Sequence, residues 1–302
     1  MLGYLPTPAL LLQNALIQDL RGVFGSPQRE GMPAGEESNS LVESVVGLEV
    51  EGSLTLLIKA CLNGNRKPAE HPALPLSPQD LGRDARQAVK TGAGALHVHP
   101  RLPDGSETLE AGAVGAAVEV IRSTCPGVPV GVSTGAWIEP DLERRKESVG
   151  AWVSLPAGPR PDFASVNLSE TGAIEVRATL LDADIGVEAG LWSADDARRL
   201  LEADMAGRCT RVLIELVRER AAEEARLTAQ EIETVLKKAS VGTPTLLHGE
   251  GAVAWPMFLY ALERGYDARI GFEDTLALPE GAPARDNAQL VKAALKLASG
   301  RK

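Results

Sequence analysis

Only four histidines occur in 302 residues, and two of them stand one residue apart in GALHVHPRLPDG at 94–105. In a strand, residues i and i+2 project to the same face, so His97 and His99 lie side by side with Val98 turned away. Their backbones are then about 7 Å apart, two strand rises, which lets both imidazoles reach one ion. The alternative is a pair of hydrogen-bonded histidines at a strand end. Two histidines and one carboxylate, with coordination positions left open, suit a catalytic divalent ion such as zinc. His97, His99 and Glu273 meet that count. His248 and Glu250, in HGEG, compete for the ligand role or contact substrate. His71 is better suited to capping or ordering its loop.

A second group lies in ARIGFED at 268–274. A strand running through it places Arg269, Gly271 and Glu273 on one face. If that face is an interior, the guanidinium is costly unless paired, and Glu188 is a reachable partner. Such a pair either fills the interior as a salt bridge or orients Asp274 as a base.

These residues need elements to hold them. Strand-like runs occur at 54–64, 95–100, 129–135, 163–169, 184–190, 211–217, 244–251 and 268–274, with helix-like stretches between. Helix starts are marked by Ser77-Pro78 with Asp80, by Ser193 with Asp196, and by Thr228 with Glu231. The charged stretch 218–239 reads as a solvated helical surface. Eight strands alternating with helices over about 250 residues is the rhythm of a single (β/α)8 TIM barrel. A doubly wound sheet is the main alternative, but no GxGxxG follows the first strand. In a barrel, chemistry sits at the C-terminal strand ends. Those ends carry His97 and His99, Ser133 and Thr134, Asn167 and Ser169, Glu188, His248 and Glu250, then Glu273 and Asp274, with His71 just after the first strand. All four histidines thus fall on one rim.

The expected organisation is an N-terminal extension over 1–52 and a barrel catalytic domain over 53–302. In the extension, Leu12, Leu16, Leu20 and Phe24 recur at helical spacing, and 25–40 reads as a flexible linker. An oligomer contact, a disordered extension and an early start, with Met32 as a later one, are the competing accounts of it.

Composition narrows the rest. The net charge is −10 and no basic stripe is visible, which speaks against nucleic acid as a partner. Cys61, Cys125 and Cys209 are odd in number and widely spaced, so they suggest packing in a reducing cytoplasm rather than disulfides or thiolate zinc. No run reaches the roughly 18 apolar residues of a membrane span, and the first residues lack the cationic start of a signal peptide.

The chain resembles the β-keto acid cleavage enzymes over about residues 54–295. The resemblance is carried by KACLNGNRKPAEHPALPLSPQDL after strand 1, TGAGALHVHPRLPDG at strand 2, VSTG at strand 3, ARIGFED at strand 8 and NAQLV at 287–291. It implies a TIM barrel with zinc bound by His97, His99 and Glu273. It also implies Asp274 as general base, supported by Arg269 and Glu188, and Ser133 and Thr134 as substrate contacts, with a homo-oligomeric assembly. The implied chemistry is an exchange of acyl groups between a β-keto acid and the co-substrate acetyl-CoA, giving acetoacetate and a new acyl-CoA.

Three departures stand out. Where aminohexanoate-cleaving relatives carry a glutamate after strand 1, Gly64 is followed by Asn65 and Arg66, and a cation there favours a neutral or anionic substrate tail. Arg66 and His248, with Trp137 and Trp192, are the expected contacts to that tail, and Asn167 is a further expected substrate contact. The strand-6 loop is rebuilt as VRERAAEEARLTAQE, and HGEG adds His248. Gly249 and Gly251 could admit backbone amides to CoA phosphates. Two rivals remain: a catalytically silent metabolite-binding barrel, and a zinc hydrolase of the amidohydrolase type. The latter places its HxH on the first strand and needs further histidines on strands 5 and 6, which this chain lacks.

Overall fold

The computed structural model describes residues 56–300; the expected extension at 1–52 lies outside them. Eight parallel strands close into a barrel: β1 (Ile58–Cys61), β2 (Ala95–Val98), β3 (Val130–Ser133), β4 (Phe163–Asn167), β5 (Gly186–Leu191), β6 (Arg211–Leu216), β7 (Thr245–Gly249) and β8 (Asp267–Ile270). Each pairs with the next, and β8 returns to β1 with Arg269 opposite Lys59. The helices are α1 (Pro78–Thr91), α2 (Ala111–Thr124), α3 (Leu142–Gly150), α4 (Ala173–Asp182), α5 (Ala194–Glu202), α6 (Ala222–Lys238), α7 (Ala254–Arg264) and α8 (Asn287–Ser299). The (β/α)8 barrel expected from the sequence is the fold observed.

Alternation along the strands separates two environments. Outward residues such as Leu96, Val98, Val132, Val166, Val187 and Ile214 are buried in one continuous apolar cluster with the helices. The inward set holds the polar residues, with Lys59, His97, Ser133, Glu188, Glu215, His248 and Arg269 all buried beside Phe163, Leu213 and Leu246. Deep in the barrel the Lys59 ammonium is paired with Glu188, whose other oxygen is 3.2 Å from Arg211 Nη1. Phe163 packs beside them, its ring 5.5 Å from Lys59 Nζ.

That network corrects the expected Arg269–Glu188 pair. Arg211, on the neighbouring strand and level with Glu188, and Lys59, reaching across on a flexible stem, occupy both carboxylate oxygens. Arg269 turns instead to carboxylates next to it in sequence.

Two helix starts form as expected. Ser77 Oγ accepts from Asp80 N at 3.2 Å while Asp80 accepts from Ser77 N, and Ser193 Oγ accepts from Asp196 N at 3.3 Å. The third does not: α6 begins two turns earlier, after Ala221, and Thr228 is interior to it. The Ala- and Glu-rich AAEEAR is a strong helix former, and Glu223 and Glu224 suit the positive end of the helix dipole. Nor is this stretch only a solvated surface, since Ala225, Ala229, Ile232 and Leu236 are buried against the barrel. Cys61 and Cys125 are buried and Cys209 partly so, all as free thiols.

Candidate active site

The site is built at the C-terminal ends of β2 and β8, on either side of β1. His97 points inward from β2, and the chain leaves the strand at Val98. Asn63 then fixes the next residues, accepting from His99 N and donating to His99 O, both at 2.9 Å. The two imidazoles converge, with His97 Nε2 3.2 Å from His99 Nε2.

The third member arrives by a turn, not by strand parity. A Cβ on Gly271 would lie 2.0 Å from the Cys61 carbonyl oxygen. Only glycine permits that backbone approach, and there β8 gives way to a turn in which Asp274 N and Thr275 N both donate to Gly271 O at 2.9 Å. The expected strand through 274 is therefore corrected, and the turn brings both Glu273 and Asp274 to Arg269. Gly64, at φ +55°, leaves the space in which Glu273 lies; a Cβ there would meet its Cγ at 2.4 Å.

Glu273 Oε2 is 3.9 Å from His97 Nε2 and Oε1 is 3.7 Å from His99 Nε2. One donor atom from each of the three residues lies within 4.8 Å of the others. The set fits a divalent cation. His99 Nδ1 is hydrogen-bonded to Glu107 at 2.5 Å, which leaves Nε2 as a lone pair in the neutral ring. Glu273 Oε2 is buried without a hydrogen-bond partner among the described residues, a costly state for a carboxylate oxygen unless a cation meets it. Burial pushes the His97 pKa well below the usual imidazole range. Burial also opposes charge on His99, but Glu273 and Glu107 outweigh it and raise its pKa to about 9; a metal at this point would have to displace that proton. Burial works to raise the Glu273 pKa, and Arg269 with the two histidines outweighs it, holding the carboxyl well below the usual range.

Arg269 bridges this group to Asp274. Its Nε and Nη2 donate to Asp274 Oδ1 at 3.0 and 2.8 Å, and Nη2 also donates to Glu273 Oε1 at 2.7 Å. Asp274 is fully buried, and its Oδ2 has no partner among the described residues. His248 Nδ1 lies 3.2 Å from Asp274 Oδ1, out of line for a hydrogen bond, while its Nε2 meets Glu215 Oε2 at 3.0 Å. Glu215 Oε1 accepts from Trp192 Nε1 at 3.1 Å.

Above these groups is a cavity of about 220 Å³, whose wall includes Ser133, Trp137, Asn167, Trp192, Glu215 and Glu250 along with His97, His99, Arg269 and Glu273. Of the residues expected to contact substrate, Ser133 and Asn167 face it. Thr134 does not, because its hydroxyl donates to Ser165 O at 2.7 Å. His248 sits beneath the wall rather than in it, since alternation along β7 turns it into the barrel between Glu215 and Asp274. Arg66 lines an outer pocket with Arg220 and Glu250, but its guanidinium is taken by Phe272 O, Glu273 O and Glu70. Burial raises the Glu250 pKa to about 7. His71 orders its loop, as expected, through Ala284 O and Ala73 N.

Lys59, Glu107 and Glu215 escaped the reading from sequence. Glu215 shares a face with Arg211 in RVLIELV, and a carboxylate inside so apolar a strand was a usable signal. Glu107 follows PDGS, a turn signal that folds the loop back toward His99.

Comparisons with known proteins bear on this site. The chain is 26% identical over 251 residues to 3-keto-5-aminohexanoate cleavage enzyme from Fusobacterium nucleatum, covering 80% of this chain and 91% of that protein. It is 25% identical over 259 residues to 3-oxoadipate:acetyl-CoA acetyltransferase from Cupriavidus necator, covering 78% and 85%. Among solved structures, the binary complex of ObcA with oxaloacetate aligns with a TM-score of 0.60 at 18% identity, over 76% of this chain and 64% of that one. Type I 3-dehydroquinate dehydratase from Clostridium difficile aligns with a TM-score of 0.55 at 12% identity, over 81% and 93%. These structural likenesses are of fold alone. The sequence profile of beta-keto acid cleavage enzymes matches residues 55–301, which include all of the described residues, and the protein belongs to that family.

Proposed function

We propose that the chain is a zinc-dependent acyltransferase that converts a β-keto acid and acetyl-CoA into acetoacetate and a new acyl-CoA. The observation that carries this reading is the convergence of His97, His99 and Glu273 beside an aspartate held by Arg269. The three would hold zinc, which when bound supplies a Lewis acid for the keto and carboxylate oxygens of the substrate.

Asp274 lies beneath the cavity wall, fully buried, and acts as the base once a shift of the wall opens Oδ2, the oxygen that Arg269 leaves free, to a proton on C2 of the β-keto acid. Arg269 keeps Oδ1 engaged and so fixes the orientation of the carboxylate. The C2 enolate attacks the acetyl carbonyl of acetyl-CoA and CoA thiolate departs. The thiolate then attacks C3, the C2–C3 bond breaks, and the electron pair left on C2 recovers the proton from Asp274. Ser133 and Asn167, on the cavity wall, are the substrate contacts; Glu188 acts only from below, through the charge network with Lys59.

The tail of the substrate meets a wall bearing Glu215 and Glu250, and Arg66 lines the outer pocket rather than this wall, with three of its five N–H groups engaged. These carboxyl groups are acceptors suited to an ammonium-bearing tail such as that of 3-keto-5-aminohexanoate, and they offer no donor to a second carboxylate such as that of 3-oxoadipate. This reading differs from the expectation drawn from Arg66 in the sequence.

The test is zinc content by elemental analysis, followed by acetoacetate release from both acids with acetyl-CoA. Asp274→Asn should keep its zinc and lose activity by about 10²–10⁴-fold; near-normal turnover would overturn the base assignment. A protein that binds no zinc would overturn the metal reading.

A further inference from the structure

The loop between β2 and α2 is a small hairpin. Leu102 N donates to Ser106 O at 2.9 Å, Gly105 turns the chain at φ +87°, and Arg101 pairs antiparallel with Glu107. The Arg101 guanidinium ties the hairpin to the loop after β1 through Gly64 O and Arg66 O and closes the hairpin on itself through Gly105 O, each at 2.7 Å. A rigid arm thereby presents Glu107 to two residues from different parts of the chain. Its Oε1 accepts from His99 Nδ1, and both its oxygens lie 3.3–3.4 Å from Trp137 Nε1. The Trp137 ring lies nearly parallel to His99, 6.3 Å between centroids, and is 47% exposed at the cavity wall.

We propose that Glu107 is a positioning residue for both partners, so that one carboxylate sets the tautomer of a zinc ligand and the placement of the aromatic wall beside the substrate. Accepting from Nδ1–H turns the His99 Nε2 lone pair toward His97 and Glu273. Such outer carboxylates raise ligand basicity, and their loss costs about 10–100-fold in metal affinity. Accepting also from the indole N–H keeps an exposed tryptophan from swinging into solvent. The inference rests on zinc being seated at His97, His99 and Glu273.

The experiment is zinc titration of metal-stripped wild type, Glu107→Ala, Glu107→Gln and Trp137→Phe, with folding checked by circular dichroism. Glu107→Ala should bind zinc about 10–100-fold more weakly, and Glu107→Gln, which keeps the volume and an acceptor, should fall between it and wild type. Trp137→Phe should leave zinc affinity unchanged. Tryptophan emission gives the second readout: the zinc-dependent change that Trp137→Phe removes should also be absent from Glu107→Ala at saturating zinc. Equal zinc affinity in wild type, Glu107→Ala and Glu107→Gln would overturn the positioning role alone. If Glu107→Ala fails to fold, the zinc affinity and the tryptophan emission of Glu107→Gln, both expected to fall below wild type, decide the matter. A wild-type protein without zinc affinity would overturn the metal reading, and this inference with it.

Discussion

Leu96 and His97 are adjacent on β2 and belong to different materials. Leu96 faces outward into the apolar layer under the helices; His97 faces into a barrel interior of paired charges. The same division runs round the ring, with Val132 beside Ser133, Val187 beside Glu188 and Ile214 beside Glu215. Burying aliphatic side chains stabilises the fold in proportion to the area removed from water. Burying a charge pair at best breaks even against its desolvation. The outer layer therefore holds the barrel together, and the inner layer spends some of that stability on chemistry.

Substitutions can break or sharpen this contrast. The largest expected effect is His97→Ala: zinc and turnover fall to background while the melting temperature of the metal-free protein hardly moves. A melting loss as large as that of a core deletion would break the contrast. Next is Lys59→Met, which leaves Glu188 buried with Arg211 alone; urea unfolding should show a loss of about 4 kcal/mol. Adding Glu188→Gln should restore much of it, whereas a larger loss in the double variant would mean that the pair stabilises outright. Leu96→Ala should cost about 3 kcal/mol by the same assay and leave kcat per folded molecule unchanged.

The smallest effect concerns a polar intrusion into the outer layer. Asp84 on α1 accepts from Asn287 Nδ2 at 2.6 Å, and Asn287 in turn accepts from Phe272 N at 2.7 Å. Burial raises the Asp84 pKa from 3.8 to about 7. The folded state thus keeps a proton that the unfolded chain sheds. This stability is fully present below pH 3.8, declines as pH rises through 7, and is then gone. Each pH unit between the two pKa values should remove up to about 1.4 kcal/mol, and Asp84→Asn should flatten the decline. Identical pH–stability profiles for wild type and Asp84→Asn between pH 4 and 8 would refute the assignment.

The same contrast explains what could be read from the sequence. The outer face is written in apolar runs of strand length, and the barrel follows from their number and spacing. His97, His99, Glu273 and Asp274 were legible because reactive types clustered where strands end. Pairings inside the barrel were not, since they depend on which strands face one another across the ring: Glu188 met Lys59 and Arg211, and Arg269 met its own turn. Strand parity failed after Ile270 because a backbone contact between Gly271 and Cys61 ends the strand, and no local pattern announces that contact. Thr228 misled because a capping box is a short signal and the alanines before it are a stronger one.

The position of the three candidate ligands has a consequence for assembly. β1 pairs with β2 on one side and with β8 on the other, and the ligands come from those two neighbours. They straddle the seam at which the ring closes. A growing chain carries both histidines early but acquires a complete donor set only when the last strand docks against the first. A cation held there binds the closed ring and not the open one, so it stabilises closure by mass action. The candidate metal seat would double as a clasp, and loss of a bound cation should be felt first as a loosening between the first and last strands.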